Sequence, residues 1–428
     1  MNLNRKLQPE FKNIDSINIP IPENTKLDNG IETFIINAGT QEVIKIDLSF
    51  NAGSWFQTKT ALASTVNEML IEGTKNFSSQ QIAEKLDFYG AFIHKQPTKD
   101  FGNVSLYTLK KYLPETIKIL EDIIKNPAFP EDELKIFLSK RKQKFQVELE
   151  KVTNIARREF NEQLFGKNHP YGIKAQVTDY DKVTRDDVIN FYKKYYCSNN
   201  CKIIISGKID NSVTELVNKH FGGNDWTNEN LDLTKSFDLM NEARSESFTP
   251  KENVTQSAIR LGKVTINKDH PDFHKLEIVN TLLGGYFGSR LMKTIREEKG
   301  YTYGINSVLV SLKNAAYFVI LSEVSANVAK DAINDILLEV KKLREEIVST
   351  KELDLVKNYM LGDLLRSFDG AFEIASSFKN LIEQGLNLDY FKNQIETIKT
   401  ITPEEVNLIA NKYLHEDTLV KTIAGKYD

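Results

Sequence analysis

His270 and His274 stand four residues apart in HPDFH. That spacing puts two imidazoles on one helix face, where they could share a zinc ion. No glutamate lies between them to act as a base, and His270-Pro271-Asp272 reads more simply as a helix opening with His274 on the surface. His94, His169, His220 and His415 are isolated in sequence. Cys197 and Cys201 form a lone pair, short of the roughly four ligands a structural zinc site needs. They read as ordinary thiols where a helix gives way to a strand. Gly284, Gly285 and Gly288 could suggest a phosphate cradle, but no Lys-Ser/Thr follows, so a tight turn between helices is expected. No G-x-S-x-G elbow, Rossmann fingerprint or P-loop is present.

The elements that would position any site follow one repeat. Thr184, Asp187, Val188, Lys194, Tyr195 and Gly207 return as Thr402, Glu405, Val406, Lys412, Tyr413 and Gly425, every pair offset by 218. Each copy reads as a capped amphipathic helix running into an apolar strand that stops at Gly. A tandem duplication follows: an α+β chain of two homologous domains, each a mainly antiparallel sheet packed with helices, around a cleft. The expected boundaries are 1–224, a polar linker at 225–252, and 253–428. Asp28-Asn29-Gly30 marks a hairpin within 24–38, and IKIDLSFNAG alternates as a half-buried strand. Helices are expected at 60–72, 112–126, 131–165, 270–284, 289–299, 327–347 and 350–384.

A chain of 428 residues, 40% apolar and 27% charged, can bury two cores. Its net charge of −3, from 56 basic and 59 acidic residues, argues against a nucleic-acid or anionic-membrane platform. No apolar run is long enough to span a bilayer, and the first residues carry no signal-peptide core, so a cytoplasmic chain is expected, with a periplasmic one as the alternative if a signal peptide was removed.

Two segments then carry a family resemblance. One is Leu283-Gly284-Gly285-Tyr286-Phe287-Gly288-Ser289-Arg290-Leu291, continuing through Ile295-Arg296-Glu297-Glu298-Lys299-Gly300-Tyr301-Thr302-Tyr303. It closely resembles the second-domain signature of the pitrilysin/insulinase (inverzincin) zinc metallopeptidases, which include the mitochondrial processing peptidase. The other is Asn51-Ala52-Gly53-Ser54 with Ala61-Leu62-Ala63 and Met69-Leu70-Ile71-Glu72-Gly73-Thr74, which resembles the frame around that family's inverted zinc motif. His169-Pro170-Tyr171-Gly172 fits as well.

The resemblance implies that the helix at 60–72 should carry H-x-x-E-H, two zinc ligands and a general base. Carrying the frame across puts Ser64, Asn67 and Glu68 at those places. Serine is a poor zinc ligand, an amide takes no proton at neutral pH, and Glu68 is one lone carboxylate. The family's third ligand falls near 144–150, where counting lands on Lys144, with Glu148 and Glu150 nearby. No metal or cofactor is therefore expected in this chain. Arg296 and Tyr303 match an arginine and a tyrosine that the family places across the chamber from zinc, donors suited to a developing oxyanion. Otherwise Arg296 would pair with Glu297 or Glu298 on a solvated helix. Gly284 and Gly285 are expected near substrate. The strand 254–261, with Gln256 and Ser257, resembles a sheet edge to which an extended peptide could add; the plain alternative is an internal strand.

One half of the equipment is lost and the other kept, a pattern that resembles a two-subunit arrangement. The implied function is the non-catalytic subunit of a heterodimeric zinc peptidase. Its partners would be a homologous zinc-bearing subunit and a peptide substrate, with no nucleic acid or membrane. The alternatives are a purely structural protein, like the peptidase-derived core subunits of a respiratory complex, and a self-sufficient hydrolase with an unrecognised site.

Overall fold

In the computed structural model, the described residues are Ile14, 17–238 and 246–427. The first half runs β1 (Glu23–Lys26), β2 (Glu32–Asn37), β3 (Val43–Phe50), α1 (Leu62–Met69), α2 (Ser79–Phe88), β4 (Phe92–Pro97), β5 (Gly102–Leu109), α3 (Leu113–Lys125), α4 (Glu131–Leu149), α5 (Val152–Phe165), α6 (Arg185–Tyr195), β6 (Cys201–Gly207) and α7 (Asn211–Phe221). The second runs β7 (Glu246–Pro250), β8 (Gln256–Thr265), α8 (Phe273–Asn280), β9 (Thr302–Ser311), β10 (Ala316–Ser325), α9 (Ala329–Glu345), α10 (Thr350–Ser367), α11 (Ala371–Gln384), α12 (Tyr390–Thr400), α13 (Pro403–Tyr413) and β11 (Val420–Gly425).

The duplication is visible in strand order. One sheet is β1-β2-β6-β3-β5-β4, the other β7-β11-β8-β10-β9. With β1 set aside, both follow the same walk: first, fifth, second, fourth, third. Only β2–β6 and β7–β11 are parallel; the other pairings are antiparallel. The repeat reaches single dihedrals. Thr184 and Thr402 cap α6 and α13 with reciprocal capping boxes, and both have φ −104 and ψ 162. Gly207 and Gly425 end their strands at φ 128 and 131, where a side chain would strain the backbone. A Cβ on Gly207 would also lie 2.1 Å from the Val43 carbonyl oxygen.

Three expected helices are corrected. The helix at 131–165 breaks after Leu149 and restarts at Val152, and the one at 350–384 breaks between Ser367 and Ala371. Gly370, at φ 112, supplies the second break. The first occurs at Glu150-Lys151, good helix formers, so tertiary packing imposes it. The helix expected at 270–284 is α8 from Phe273, widening to a π-turn at Thr281–Gly285. Of the polar segment 225–252, residues 246–250 pair with β11 as β7. Residues 239–245 lie outside the described residues, as do 1–13.

Both breaks serve one arrangement: each half lends a helix to the other's sheet. α5 leaves the first half and packs on β8 and β11, while α11 leaves the second and packs on β6 and β2. Phe160 of α5 sits so close to β8 that a Cβ on Gly262 would lie 2.8 Å from its ring, and Thr422 on β11 donates to Gln163 at 2.5 Å. Opposite, Phe378, Ile374 and Ile382 of α11 join Phe34, Ile36 and Ile204 in one buried cluster. Lys379 then reaches the buried Asp47 at 3.5 Å, and Asp47 also holds Lys45 at 2.9 Å and Ser105 at 2.5 Å. The hairpin tips meet as well. Asp100 accepts from the Lys313 amide at 3.0 Å and from Tyr171 at 2.5 Å, and the Asn314 amide donates to Tyr171 at 3.3 Å.

Truncating Phe378, fully buried at the exchanged contact, should cost about 3–5 kcal/mol. Because the halves share this core, denaturant unfolding of Phe378→Ala should stay a single transition with a lowered midpoint. Two separated transitions, one per half, would show the halves to be independent.

Candidate functional site

α1 packs on β4, β5 and α6 and carries the three motif positions. Its first turn starts from Ala61 at φ 69 without a side-chain cap. Ser64 donates its hydroxyl to the Ala61 carbonyl at 3.0 Å. Asn67 is fully buried, and its amide nitrogen donates to the Asn103 carbonyl at 3.2 Å and to the Tyr196 phenol at 3.1 Å. Its carbonyl oxygen has no hydrogen-bond partner among the described residues. Burial also pushes the Tyr196 phenol up, so it stays neutral. Glu68 is held by Lys95 on β4, whose ammonium lies 3.4 Å from the carboxylate and 3.2 Å from the Glu68 carbonyl. Beyond the helix, burial raises the carboxyl of Glu72, opposed by Lys95 and assisted by Glu133.

These residues do not fit zinc. Ser64 and Asn67 are committed to backbone and phenol, and the one carboxylate already has an ammonium beside it. On α4, Lys144 is exposed and the Glu148 carbonyl accepts from the Asn154 amide; Glu150, just past the helix, pairs with Lys251 at 2.5 Å. Among the described residues no acid from α4 completes a ligand set, α1 offers no imidazole to hold a metal, and the amide of Asn67, at the base position, cannot take a proton from water.

Lys95 escapes a motif-based reading, although the sequence carries a signal for it. In FIHKQP, Phe92, His94 and Gln96 are exposed, while Ile93, Lys95 and Pro97 take the other, half-buried phase. A lysine in the inward phase of an edge strand asks for a nearby acid.

Arg296 and Tyr303 come together. The guanidinium lies over the Phe287 ring at 4.8 Å and the Tyr303 ring at 5.4 Å. It makes no ion pair with Glu297 or Glu298, both exposed. Tyr303 is 88% exposed at the start of β9. A bulge there re-aims it: the β10 register slips between Ser322 and Val324, and Thr302 donates to the carbonyls of Gly304 and Glu323 at 2.9 and 2.5 Å. Stacking on two rings fixes the cation while leaving its N–H edges free.

The remaining candidates separate. Gly284 is a close-packing position, since a Cβ there would lie 2.7 Å from the Ser307 amide. Gly285 is exposed beside a different cavity, lined also by Thr281, Val308 and Tyr359. Ser257 is fully buried and exchanges hydrogen bonds with the Lys426 backbone at 2.7 and 2.9 Å, which leaves nothing for substrate. Gln256 is exposed and shares a cavity with Tyr303. The expected sheet edge at 254–261 is corrected: β8 is internal, bonded to β10 and β11, and the free edges on that side of each half are β4 and β9. His274 is not a surface residue either; it packs on Tyr390 at 4.4 Å and bonds Glu277 at 3.0 Å, while His270 accepts from the Asp272 amide.

The chain is similar to known proteins over most of its length. Residues 33–169 match the description "Insulinase (Peptidase family M16)" and residues 182–360 match "Peptidase M16 inactive domain". A protein called "Uncharacterized zinc protease YmxG" from Bacillus subtilis (strain 168) is 23% identical over 403 residues, covering 92% of this chain and 96% of that one. "Non-peptidase homolog YmxG" from Helicobacter pylori (strain ATCC 700392 / 26695) is 24% identical over 378 residues, covering 85% and 84%. The crystal structure of a peptidase M16 inactive domain from Pseudomonas fluorescens superimposes with a TM-score of 0.87 at 23% identity, over 95% of this chain and 98% of that one, a likeness of fold.

Asn67 offers a direct check of why α1 does not suit zinc. In Asn67→Glu, two donated hydrogen bonds are lost and a carboxylate faces the Asn103 carbonyl, which should cost about 1–3 kcal/mol at neutral pH. Ser64→His/Asn67→Glu/Glu68→His should bind zinc weakly, and adding Lys144→Glu should tighten it. Isothermal titration with zinc reads both; tight binding by the triple variant alone would show that α4 is not the missing ligand helix.

Proposed function

Because the chain belongs to the insulinase (M16) peptidase family, we propose that it is the non-catalytic subunit of a two-chain zinc peptidase. A homologous partner supplies the zinc, and this chain supplies peptide-binding surface and the Arg296–Tyr303 pair. The observation that carries the reading is the state of that pair. An arginine kept only for surface charge would be found with Glu297 or Glu298. Instead its cation is stacked between two exposed rings with no acid partner among the described residues. That arrangement suits a carbonyl oxygen gaining negative charge.

Decay of α1 alone supports only an inert chain. Loss of the zinc donors together with an unpaired, oriented donor pair supports a chain that completes another's site. The free edges of β4 and β9 add surface where an extended peptide could pair with backbone.

The isolated chain is expected to cleave no peptide, and cleavage should appear on mixing with a zinc-bearing homologue that dimerises with it. Arg296→Ala and Tyr303→Phe should then lower kcat on the order of 100- to 1000-fold, roughly 3–4 kcal/mol, with the dimer intact by size exclusion. A surface role for Arg296 would cost at most about 1 kcal/mol of stability and leave turnover unchanged. Full turnover in both variants would reduce the chain to a scaffold.

A further inference from the structure

Strand register gives Arg260 and Asp47 the same place in the two halves. Arg260 pairs with Thr422 on β11 and Asp47 with Ile204 on β6, and 422 − 204 = 218, the offset of the repeat. On β8, Arg260 shares its face with Ala258 and Gly262, the residues covered by Ala156 and Phe160 of α5. Both side chains thus lie on the sheet face that the exchanged helix meets. Asp47 is matched there by Lys45, Ser105 and Lys379. Arg260 is half-buried, and among the described residues its guanidinium has neither a hydrogen bond nor an ion pair.

Its surroundings add positive charge. Arg157 on α5 is near enough to act electrostatically on both Arg260 and Lys99, and the Lys99 ammonium also has no hydrogen bond or ion pair among the described residues. Burial pushes both groups below their ordinary values, reinforced by Arg157 and opposed by Tyr317 at Arg260 and by Asp100 at Lys99. Asp100, the acid next to Lys99, has one oxygen taken by Tyr171 and the other by the Lys313 amide. A half-buried cation without a counter-charge destabilises the empty protein. Since the repeated position holds an acid, the fold does not require a cation at 260.

Arg260 opens into a cavity of about 420 Å³ that Gln256, Asn306, Ser322, Tyr303 and Thr153 of α5 also line. Tyr303 is the ring on which Arg296 stacks, so the cavity adjoins the Arg296–Tyr303 pair. We infer that this cavity is a carboxylate subsite for a peptide, with Arg260 as the anion-binding group and Arg157 and Lys99 as the field around it. The inference rests on reading the chain as a peptide-binding subunit. One acid, the exposed Glu323, is on the cavity wall, so the site suits a segment with a single carboxylate and not an acidic run. That carboxylate is either a peptide C-terminus or one Asp or Glu side chain.

The test uses the full chain and fluorescence anisotropy with one labelled peptide in three forms: a free C-terminal acid with an internal Glu, its C-terminal amide, and its Glu-to-Gln analogue. Removing the recognised carboxylate should weaken binding by about 10- to 100-fold, and which analogue suffers assigns its source. In Arg260→Gln the three forms should bind alike, and Arg260→Lys should restore part of the preference as a point charge. The Gln variant without peptide should unfold at or above the wild-type temperature, because an unmatched charge is gone. A clear fall in its unfolding temperature would make Arg260 structural and overturn the inference. Equal binding of all three forms to wild type would overturn the subsite while leaving peptide binding intact. No binding of any form would remove peptide binding as well.

Discussion

The exchange of α5 and α11 between the halves is the contact on which the rest of the molecule depends. Each sheet is covered on one face by its own helices and on the other by a helix from the opposite half. Neither half alone can bury both faces of its strands: Phe34, Ile36 and Ile204 need α11, and Ala258, Gly262 and Ala424 need α5. A hinge that closed the halves on each other would have to strip both helices at once, exposing Phe160 and Phe378, the kind of loss that costs several kcal/mol per aromatic side chain. The hairpin-tip contacts of Asp100 with Tyr171 and Lys313 lie across the same junction. The two halves therefore act as one body. On the proposed reading this matters for mechanism, because a site completed by Arg296 and Tyr303 must be completed for a second chain, not by domain closure within this one.

The chemistry of α1 shows how a helix can hold its place without a metal. Its packing on β4, β5 and α6 is intact, and its polar positions have found local partners. Asn67 ties the helix to β5 and to Tyr196, Ser64 closes the uncapped first turn, and Lys95 supplies the cation that Glu68 needs. The orphaned Asn67 oxygen is what this solution leaves unsatisfied. An imidazole pair at the same spacing would have been oriented by a metal; in this helix the orientation comes from hydrogen bonds of about 1 kcal/mol each, enough to hold a helix and unable to activate water.

The legible part of the sequence was the part written in local physical chemistry. The capping boxes at Thr184 and Thr402, with Gly207 and Gly425 stopping the strands that follow, announced the repeat before any topology was known. Asp369-Gly370 was a readable stop that a long apolar periodicity concealed. Glu150-Lys151 held no stop at all: both residues favour helix, and only the path of α5 onto the other sheet breaks the chain there. β8 was expected at an edge from the resemblance alone, and nothing in the residues of a single strand says how many neighbours it has. Ser257 fell to the same limit, since its hydrogen bonds go to the Lys426 backbone, distant in sequence. The Arg296–Tyr303 pairing was accessible from a signature, but the stacking on Phe287 depends on a turn and a bulge that no spacing rule encodes.

Duplication also supplies an internal control. Wherever the two halves carry the same residue type at equivalent positions, the fold is sufficient explanation, as with the two threonine caps and the two closing glycines. Where they differ, the difference is free to serve something else. Position 47 carries a buried acid with Lys45 and Lys379 beside it, while position 260 carries a cation facing a cavity with no hydrogen-bond or ion-pair partner among the described residues. Motif helix and signature segment differ in the same sense: the first half has turned its polar side chains inward to one another, and the second has left Arg296, Tyr303 and Arg260 facing outward. A half-buried cation without a partner among the described residues carries a standing free-energy cost, and at Arg260 that cost sits on a cavity wall, where a carboxylate bound as proposed would relieve it.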